Sequence, residues 1–233
     1  MSIVASWTKK WAEKRNQPFL FYTKTSSTND RAKEYLLENI PDRYRNDSLH
    51  SISPLGKKPT ETTKSVLAPY FREGRVEEIK QDQYKNFLFI AEFQTKGRGR
   101  KNRKWINSDM MTSWSHSLKQ APQPITVELM GQALCDALSL SWPSCPFRIK
   151  KPNDIYIKNK KMAGLLVEVV NKGNWYQLII GLGMNVLTHP PSPCFTDLKK
   201  HVAKESITEK KWILFLDEWY KNRNAQIKKC VIP

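Results

Sequence analysis

The chain predicts an α+β fold, a mixed and largely antiparallel sheet with packed helices, and three observations carry that reading. From Phe147 to Val186 short apolar runs alternate with polar turns, the pattern of a β meander. Elsewhere apolar residues recur at the period of a helix with one buried face. Between these regions two more strand-like runs, Phe87–Phe93 and Met111–Leu118, flank a glycine-broken basic loop.

In chain order, Ile3, Trp7 and Trp11 share a helical stripe, and Phe19-Leu20-Phe21-Tyr22 reads as a short buried strand ending near Thr25. A helix follows, with Thr28 or Asn29 as N-cap and Ala32, Tyr35, Leu36 and Ile40 as its apolar face. Residues 41–82 turn polar and carry Pro54, Pro59 and Pro69. They read as an insertion or long mobile excursion, because structureless loops beyond ~15 residues are unusual inside compact domains. After the two strands around the basic loop, Val127, Met130, Leu134, Ala137 and Leu138 mark a helix starting near Pro124. The meander then runs Phe147–Ile149, Ile155–Ile157, Met162–Val170 and Trp175–Val186, turning at Lys158-Asn159-Lys160-Lys161 and at Asn171-Lys172-Gly173-Asn174. A last helix over Thr208–Asn222 sets Trp212, Phe215, Leu216 and Trp219 on one face.

With 233 residues, 39% of them hydrophobic, the chain can bury one sizeable core, so 1–233 is expected to be a single domain interrupted at 41–82. The stretch Met1–Lys10 lacks the apolar core of a secretory signal, and no run approaches the ~20 apolar residues of a spanning helix. A cytoplasmic protein with no membrane partner is the expectation. Cys135, Cys145, Cys194 and Cys230 form no C-x-x-C pair, which argues against a zinc site or a disulfide framework. A net charge of +17 attracts polyanions or acidic proteins without choosing among them.

The densest chemistry lies in Gln94-Thr95-Lys96-Gly97-Arg98-Gly99-Arg100-Lys101-Asn102-Arg103-Lys104-Trp105, where six of the nine residues from Lys96 to Lys104 are basic. Glycines let the backbone approach a ligand, and arginine forks match phosphate or carboxylate oxygens in pairs. On its own the loop suits either an anion site or a solvated basic turn that adheres to nucleic acid.

Five segments in order remove that ambiguity: Ser27-Thr28-Asn29, the Gln94–Trp105 loop, Lys150-Lys151-Pro152-Asn153-Asp154, Lys161-Met162-Ala163-Gly164-Leu165-Leu166-Val167-Glu168, and Gly181-Leu182-Gly183-Met184-Asn185-Val186. Together they closely resemble the catalytic domain of biotin protein ligases, within the biotin/lipoate ligase family, from about Phe19 to Asn222. The resemblance implies a sheet domain related to class II aminoacyl-tRNA synthetases. It also implies an ATP-dependent enzyme that makes biotinyl-5'-AMP with magnesium and passes biotin to a lysine of a biotin carboxyl carrier domain. Carried onto matching positions, Lys161 would touch the biotin carboxylate and the α-phosphate, while Arg98 and Arg100 would act from the mobile loop. Ser27, Thr28, Asn29, Gln94, Gly97 and Gly164 would surround biotin. Arg103, Trp105, Lys150, Asn153 and Asn185 would serve the nucleotide, with Trp105 stacked on adenine and Asp154 on the magnesium side. Cations here have an independent rationale, since a carboxylate must approach a phosphorus already crowded by negative oxygens.

The sequence departs from the family at Asn102, where a third loop glycine is usual, at Lys151, where tryptophan is usual, and over Ser108–Thr112, which lacks a glycine. No helix-turn-helix is expected ahead of the domain and no small β domain after it, so neither a specific nucleic-acid partner nor the acceptor surface is accounted for. Monomer and homodimer are equally compatible with these motifs. The competing readings are a lipoate or octanoate ligase or transferase on the same scaffold, a biotin binder that no longer ligates, and a basic nucleic-acid-binding module.

Overall fold

The structure, a computed structural model, describes residues 2–38, 86–171, 173 and 175–231. The expected excursion at 41–82 lies outside these, as do Ile40, Lys172, Asn174 and the Leu36 side chain. The described elements are α1 (Ile3–Lys14), β1 (Phe19–Tyr22), α2 (Thr28–Glu38), β2 (Asn86–Ala91), β3 (Met110–Leu118), α3 (Thr126–Ser141), β4 (Phe147–Lys150), β5 (Asp154–Ile157), β6 (Lys160–Asn171), β7 (Tyr176–Met184) and α4 (Glu209–Lys229).

Among the described residues one seven-stranded sheet runs β1-β2-β3-β7-β6-β5-β4. Only the β1–β2 pair among these is parallel, and the others are antiparallel. The expected α+β class, mixed and mostly antiparallel, is the observed one. The β6–β7 hairpin turns through Gly173 at φ 78°, a left-handed conformation that glycine adopts without steric cost.

Two apolar layers cover the sheet. On one face α1, α3 and α4 bury Val4, Trp11, Leu134, Leu138, Trp212 and Phe215 against Leu88, Trp114 and Ile180. On the other α2 lays Ala32 and Tyr35 over Leu20, Phe87, Phe89 and Ile179. The unbroken apolar run of β2 follows from this arrangement, since successive strand residues face opposite sides and both sides are covered.

α4 continues to Lys229, seven residues beyond the expected end at Asn222. Arg223 interrupts the apolar pattern in sequence, yet its side chain is fully buried and its guanidinium lies 3.9 Å from the Trp114 ring centroid. Burial pulls the Arg223 guanidinium down to about 9, which still leaves it charged at neutral pH. Ring faces of Trp114, Tyr220 and Trp219 supply the compensating electrostatics. The stripe then resumes at Ile227.

Candidate active site

On the α2 side the sheet carries a cleft of about 430 Å³. Its floor is made where strands carry glycine. A Cβ on Gly183 would strike the Trp105 indole, and one on Gly181 would strike the Asn29 amide, so both side chains lie directly on β7. Gly164 on β6 does the same for Lys161, whose Cε and Nζ lie 3.0 Å from where its Cβ would stand.

The polar end is built by the start of α2. Thr28 donates its backbone N–H to Gln94 Oε1 at 2.8 Å, and Ser113 Oγ donates to Thr28 Oγ1 at 2.7 Å and to Asn29 Oδ1. Asn29 Nδ2 donates to Glu168 Oε2 at 2.7 Å and to the Leu166 carbonyl at 3.3 Å. The N-cap position falls on Ser27, one residue earlier than expected, and its carbonyl accepts from Arg31 N–H at 3.1 Å.

The basic loop rises from a narrow base. Trp105 N–H donates to the Gly97 carbonyl at 2.9 Å, and Gly99 N–H to the Arg103 carbonyl at 2.7 Å. A Cβ on Gly97 would come within 2.8 Å of the Trp105 carbonyl, which explains a glycine there. Lys101, at φ 55°, turns the loop's tip. Arg100 Nη1 donates to Asn153 Oδ1 at 3.4 Å, and Arg98 closes its fork on Asp30.

The β4–β5 turn supplies the third wall. Asn153 is locked to β6 in both directions, its Nδ2 donating to the Leu165 carbonyl at 2.7 Å and its carbonyl accepting from Leu165 N–H at 2.9 Å. Lys161 Nζ donates to Asp154 Oδ1 at 2.6 Å and stands 5.1 Å from the Trp105 ring centroid. The Lys150 ammonium lies 5.1 Å from the Tyr156 ring centroid.

Of the residues singled out in sequence, Ser27, Thr28, Asn29, Gln94, Arg98, Arg100, Arg103, Trp105, Lys150, Asn153, Asp154, Lys161 and Gly164 line the cleft together. Gly97 and Asn185 do not. Gly97 sits behind the wall under Trp105, and Asn185 instead braces the segment after β7, its Nδ2 donating to the Thr196 carbonyl at 3.2 Å. That segment brings a residue the sequence reading passed over: Phe195, whose ring meets Trp105 edge-on at 6.3 Å. It lies in a Pro- and Ser-rich stretch with no periodicity, so nothing in sequence marked it. Ser113, Asp30 and Glu168 were passed over as well, Ser113 because a serine within a strand carries no signature. Asp109 anchors the same region by accepting from the backbone N–H of Val186, Leu187 and Thr188.

Electrostatically the cleft is lopsided. Eight Lys and Arg residues line it against a single lining carboxylate, Asp154. Behind the wall, burial pushes the carboxyls of Asp30 and Glu168 up, but their cationic partners outweigh it. Arg98, with Lys33 and Arg31, holds Asp30 below the ordinary carboxylate range, and Lys33, Asn29 and Arg98 do the same for Glu168. Among the described residues no group of three or more His, Cys, Asp or Glu could hold a metal ion. No helix among them is long and apolar enough to cross a membrane.

A cationic lip, a polar inner end and an indole over a glycine floor suit a substrate that is anionic at one end and neutral-polar at the other. The model of the biotin/lipoate A/B protein ligase family matches residues 72–185. Over that stretch, just under half of its length, the chain resembles this family. It is 35% identical over 102 residues to the bifunctional ligase/repressor BirA of Escherichia coli K12, a match covering 42% of this chain and 32% of that protein. It is 31% identical over 109 residues to the biotin–[acetyl-CoA-carboxylase] ligase of Paracoccus denitrificans, covering 43% of this chain and 45% of that one. These matches thus span less than half of either relative. In fold it is similar to the Aquifex aeolicus biotin protein ligase in complex with biotin and ATP, with a TM-score of 0.54, 21% identity and coverage of 91% of this chain and 72% of that one.

Proposed function

We propose that this protein is an ATP-dependent biotin protein ligase that forms biotinyl-5'-AMP and transfers biotin to a lysine of a biotin carboxyl carrier domain. The observation that carries the reading is Lys161, a cation held between the Trp105 indole and Asp154 in one cleft whose lining also includes Arg100 of the glycine-broken loop. Relatives that bear the ligase name, and an Aquifex relative that holds biotin and ATP, support it.

The chemistry follows from the charges. A biotin carboxylate oxygen attacks the α-phosphorus of ATP, the bond to the β-phosphate oxygen breaks, and pyrophosphate leaves. Lys161 neutralises charge shared between the carboxylate and the α-phosphate, and Arg100 holds the phosphate from the loop. In the second half-reaction a deprotonated acceptor lysine attacks the acyl carbon and AMP departs. Loop closure keeps water from the mixed anhydride in between. If magnesium accompanies the nucleotide, Asp154, whose Oδ1 accepts from Lys161, would be the carboxylate of the cleft to help hold it, and the ion would supply charge neutralisation on the phosphates.

A lipoate or octanoate ligase is the second reading, and the inner end of the cleft weighs against it. Thr28, Asn29 and Ser113 make that end polar, and an aliphatic tail gains less against such a wall than against an apolar one. The test is incubation of the purified protein with ATP and magnesium and with biotin, lipoate or octanoate in parallel, followed by mass spectrometry. Biotinyl-adenylate alone is expected, and Arg100→Ala should retain the fold while accumulating little of it. An adenylate of octanoate or lipoate in preference to biotin would move the assignment to the second reading, and no adenylate from any acid would refute ligase activity.

A further inference from the structure

Arg98 belongs to the basic loop by sequence but to α2 by contact. Its Nη1 donates to Asp30 Oδ2 at 2.6 Å and its Nη2 to Asp30 Oδ1 at 2.5 Å, a paired fork in which both terminal nitrogens are engaged. Glu168 Oε2 stands 3.6 Å from the same Nη2. Among the described residues Arg100, two residues on, makes a single 3.4 Å bond, to a neutral amide. The two arginines of Gly97-Arg98-Gly99-Arg100 are therefore held very differently. A bidentate Arg–carboxylate pair fixes direction as well as charge, and Arg98 cannot offer its fork to a phosphate without leaving Asp30.

The pair is wired into the polar end of the cleft. Asp30 follows Asn29 in the first turn of α2, and Glu168, which approaches Arg98, accepts from Asn29 Nδ2 at 2.7 Å and from Lys33 Nζ at 2.6 Å. The Asn29 amide is turned by that bond so that its oxygen faces Ser113. A displacement of Arg98 thus reaches Asn29 through shared carboxylates, by a chain of contacts no longer than three side chains.

We propose that Asp30 is a positioning residue: it pins Arg98 so that the root of the basic loop is fixed to α2, leaves Arg100 as the arginine free to follow the phosphate, and ties loop position to the amide at the inner end of the acyl pocket. The loop's first residues are also tied to the chain entering α2, Thr95 N–H to the Thr25 carbonyl and Lys96 N–H to the Ser26 carbonyl, both at 2.8 Å; the Asp30 fork extends that hold to Arg98 and to the body of α2.

The test compares Asp30→Asn with the wild-type chain by two readouts. Asn keeps the size of Asp but offers one acceptor oxygen and no charge. In limited trypsin digestion without ligand, peptides cut after Arg98, Arg100, Lys101, Arg103 or Lys104 are quantified by mass spectrometry; several-fold faster cutting in the variant is expected, with thermal midpoints compared as a control of folding. Arg98→Gln, which loses the site at 98 itself, should accelerate the cuts after Arg100, Lys101, Arg103 and Lys104, and at those sites the double variant should add nothing further, because both changes remove one interaction. In adenylate formation Asp30→Asn should raise the KM for biotin about tenfold, the equivalent of about 1.4 kcal/mol, with the KM for ATP changed less than about twofold. Asp30→Glu, which keeps the charge, should recover part of the biotin KM. The kinetic half rests on the ligase reading and the proteolytic half does not. An inactive wild type with faster cutting in both single variants would sink that reading and keep the pin. Loop cutting at the wild-type rate in Arg98→Gln, or equal rises in both KM values, would overturn the proposal, whether or not Asp30→Asn folds.

Discussion

Replacing Lys161 with alanine separates a catalytic lysine from a turn lysine that happens to be paired. Its ammonium is 2.6 Å from Asp154 Oδ1, and the two side chains are 19% and 23% exposed. A charge-assisted bond in an interior would contribute about 1.5–3 kcal/mol. Solvent reaching both partners reduces that to about 1 kcal/mol. In a protein of this length such a loss lowers Tm by about 2–4 °C. The activity should fall far more, because the ammonium faces charge that builds only as the carboxylate reaches phosphorus; losing one such group slows a reaction by ~10²–10³. The assay is single-turnover formation of biotinyl-adenylate at saturating biotin and ATP, beside thermal melts of Lys161→Ala, Asp154→Ala and the double variant. The double variant should be no less stable than the worse single, since it leaves neither charge orphaned. Adenylation by Lys161→Ala within about threefold of wild type, against the ~10²–10³ expected, would refute the assigned role whatever the melts show.

Two further outcomes follow from particular contacts. Gly183→Val sets a branched side chain where the Trp105 indole lies, so the ring must leave the floor of the cleft. Loss of that ring's stacking, about 1–1.5 kcal/mol, should weaken ATP binding by about tenfold in calorimetry while biotin binding changes little. Unchanged ATP affinity would remove Trp105 from the base pocket. His116 offers a pH test: burial, and then the Arg223 charge, hold it neutral well below its ordinary value. Unfolding lets it take a proton, so falling pH favours the unfolded chain, and stability should begin to drop below about pH 6.5 with a slope approaching 1.4 kcal/mol per unit. His116→Gln should flatten that slope between pH 6.5 and 5, a window well above that of the depressed carboxyls Asp30 and Glu168, whose contributions vanish only as pH falls below about 4.

Much of the fold is legible locally because strand and helix periods differ and the meander's turns are polar. The extent of α4 is not legible, because Arg223 looks like a solvated residue and is in fact a core residue whose charge is met by aromatic faces supplied from β3 and α4. The cleft divides in the same way. Motif residues with unusual composition, Gly97 to Trp105 and Lys161 to Gly164, announce themselves. Phe195, Ser113 and Asp30 do not, since each acts through a partner distant in sequence: Phe195 through Trp105, Ser113 through Asn29, Asp30 through Arg98. Asn185 is a motif residue outside the cleft lining, its Nδ2 donating to the Thr196 carbonyl.

The partners of the three proposed cations explain how so much positive charge is kept in one cleft before any ligand arrives. Among the described residues Arg98 and Lys161 each carry a carboxylate, at 2.5 and 2.6 Å, while Arg100 has only the Asn153 amide at 3.4 Å. Three bare cations around one small cavity would repel one another and pull the loop open. Two paired ones hold their geometry in advance, and the field that remains for an incoming phosphate comes chiefly from Arg100 and the exposed lysines and arginines of the lip. Pre-organisation of this kind puts the cost of ordering Lys161 into folding and not into the chemical step. On the proposed ligase reading Arg100 is then the group whose position the nucleotide itself would determine, and it stands on the part of the loop that lies between Gly99 and the Lys101 turn. The weaker hold on Arg100 and the tighter hold on its two neighbours are two sides of one arrangement, in which a fixed site is completed by a single moving charge.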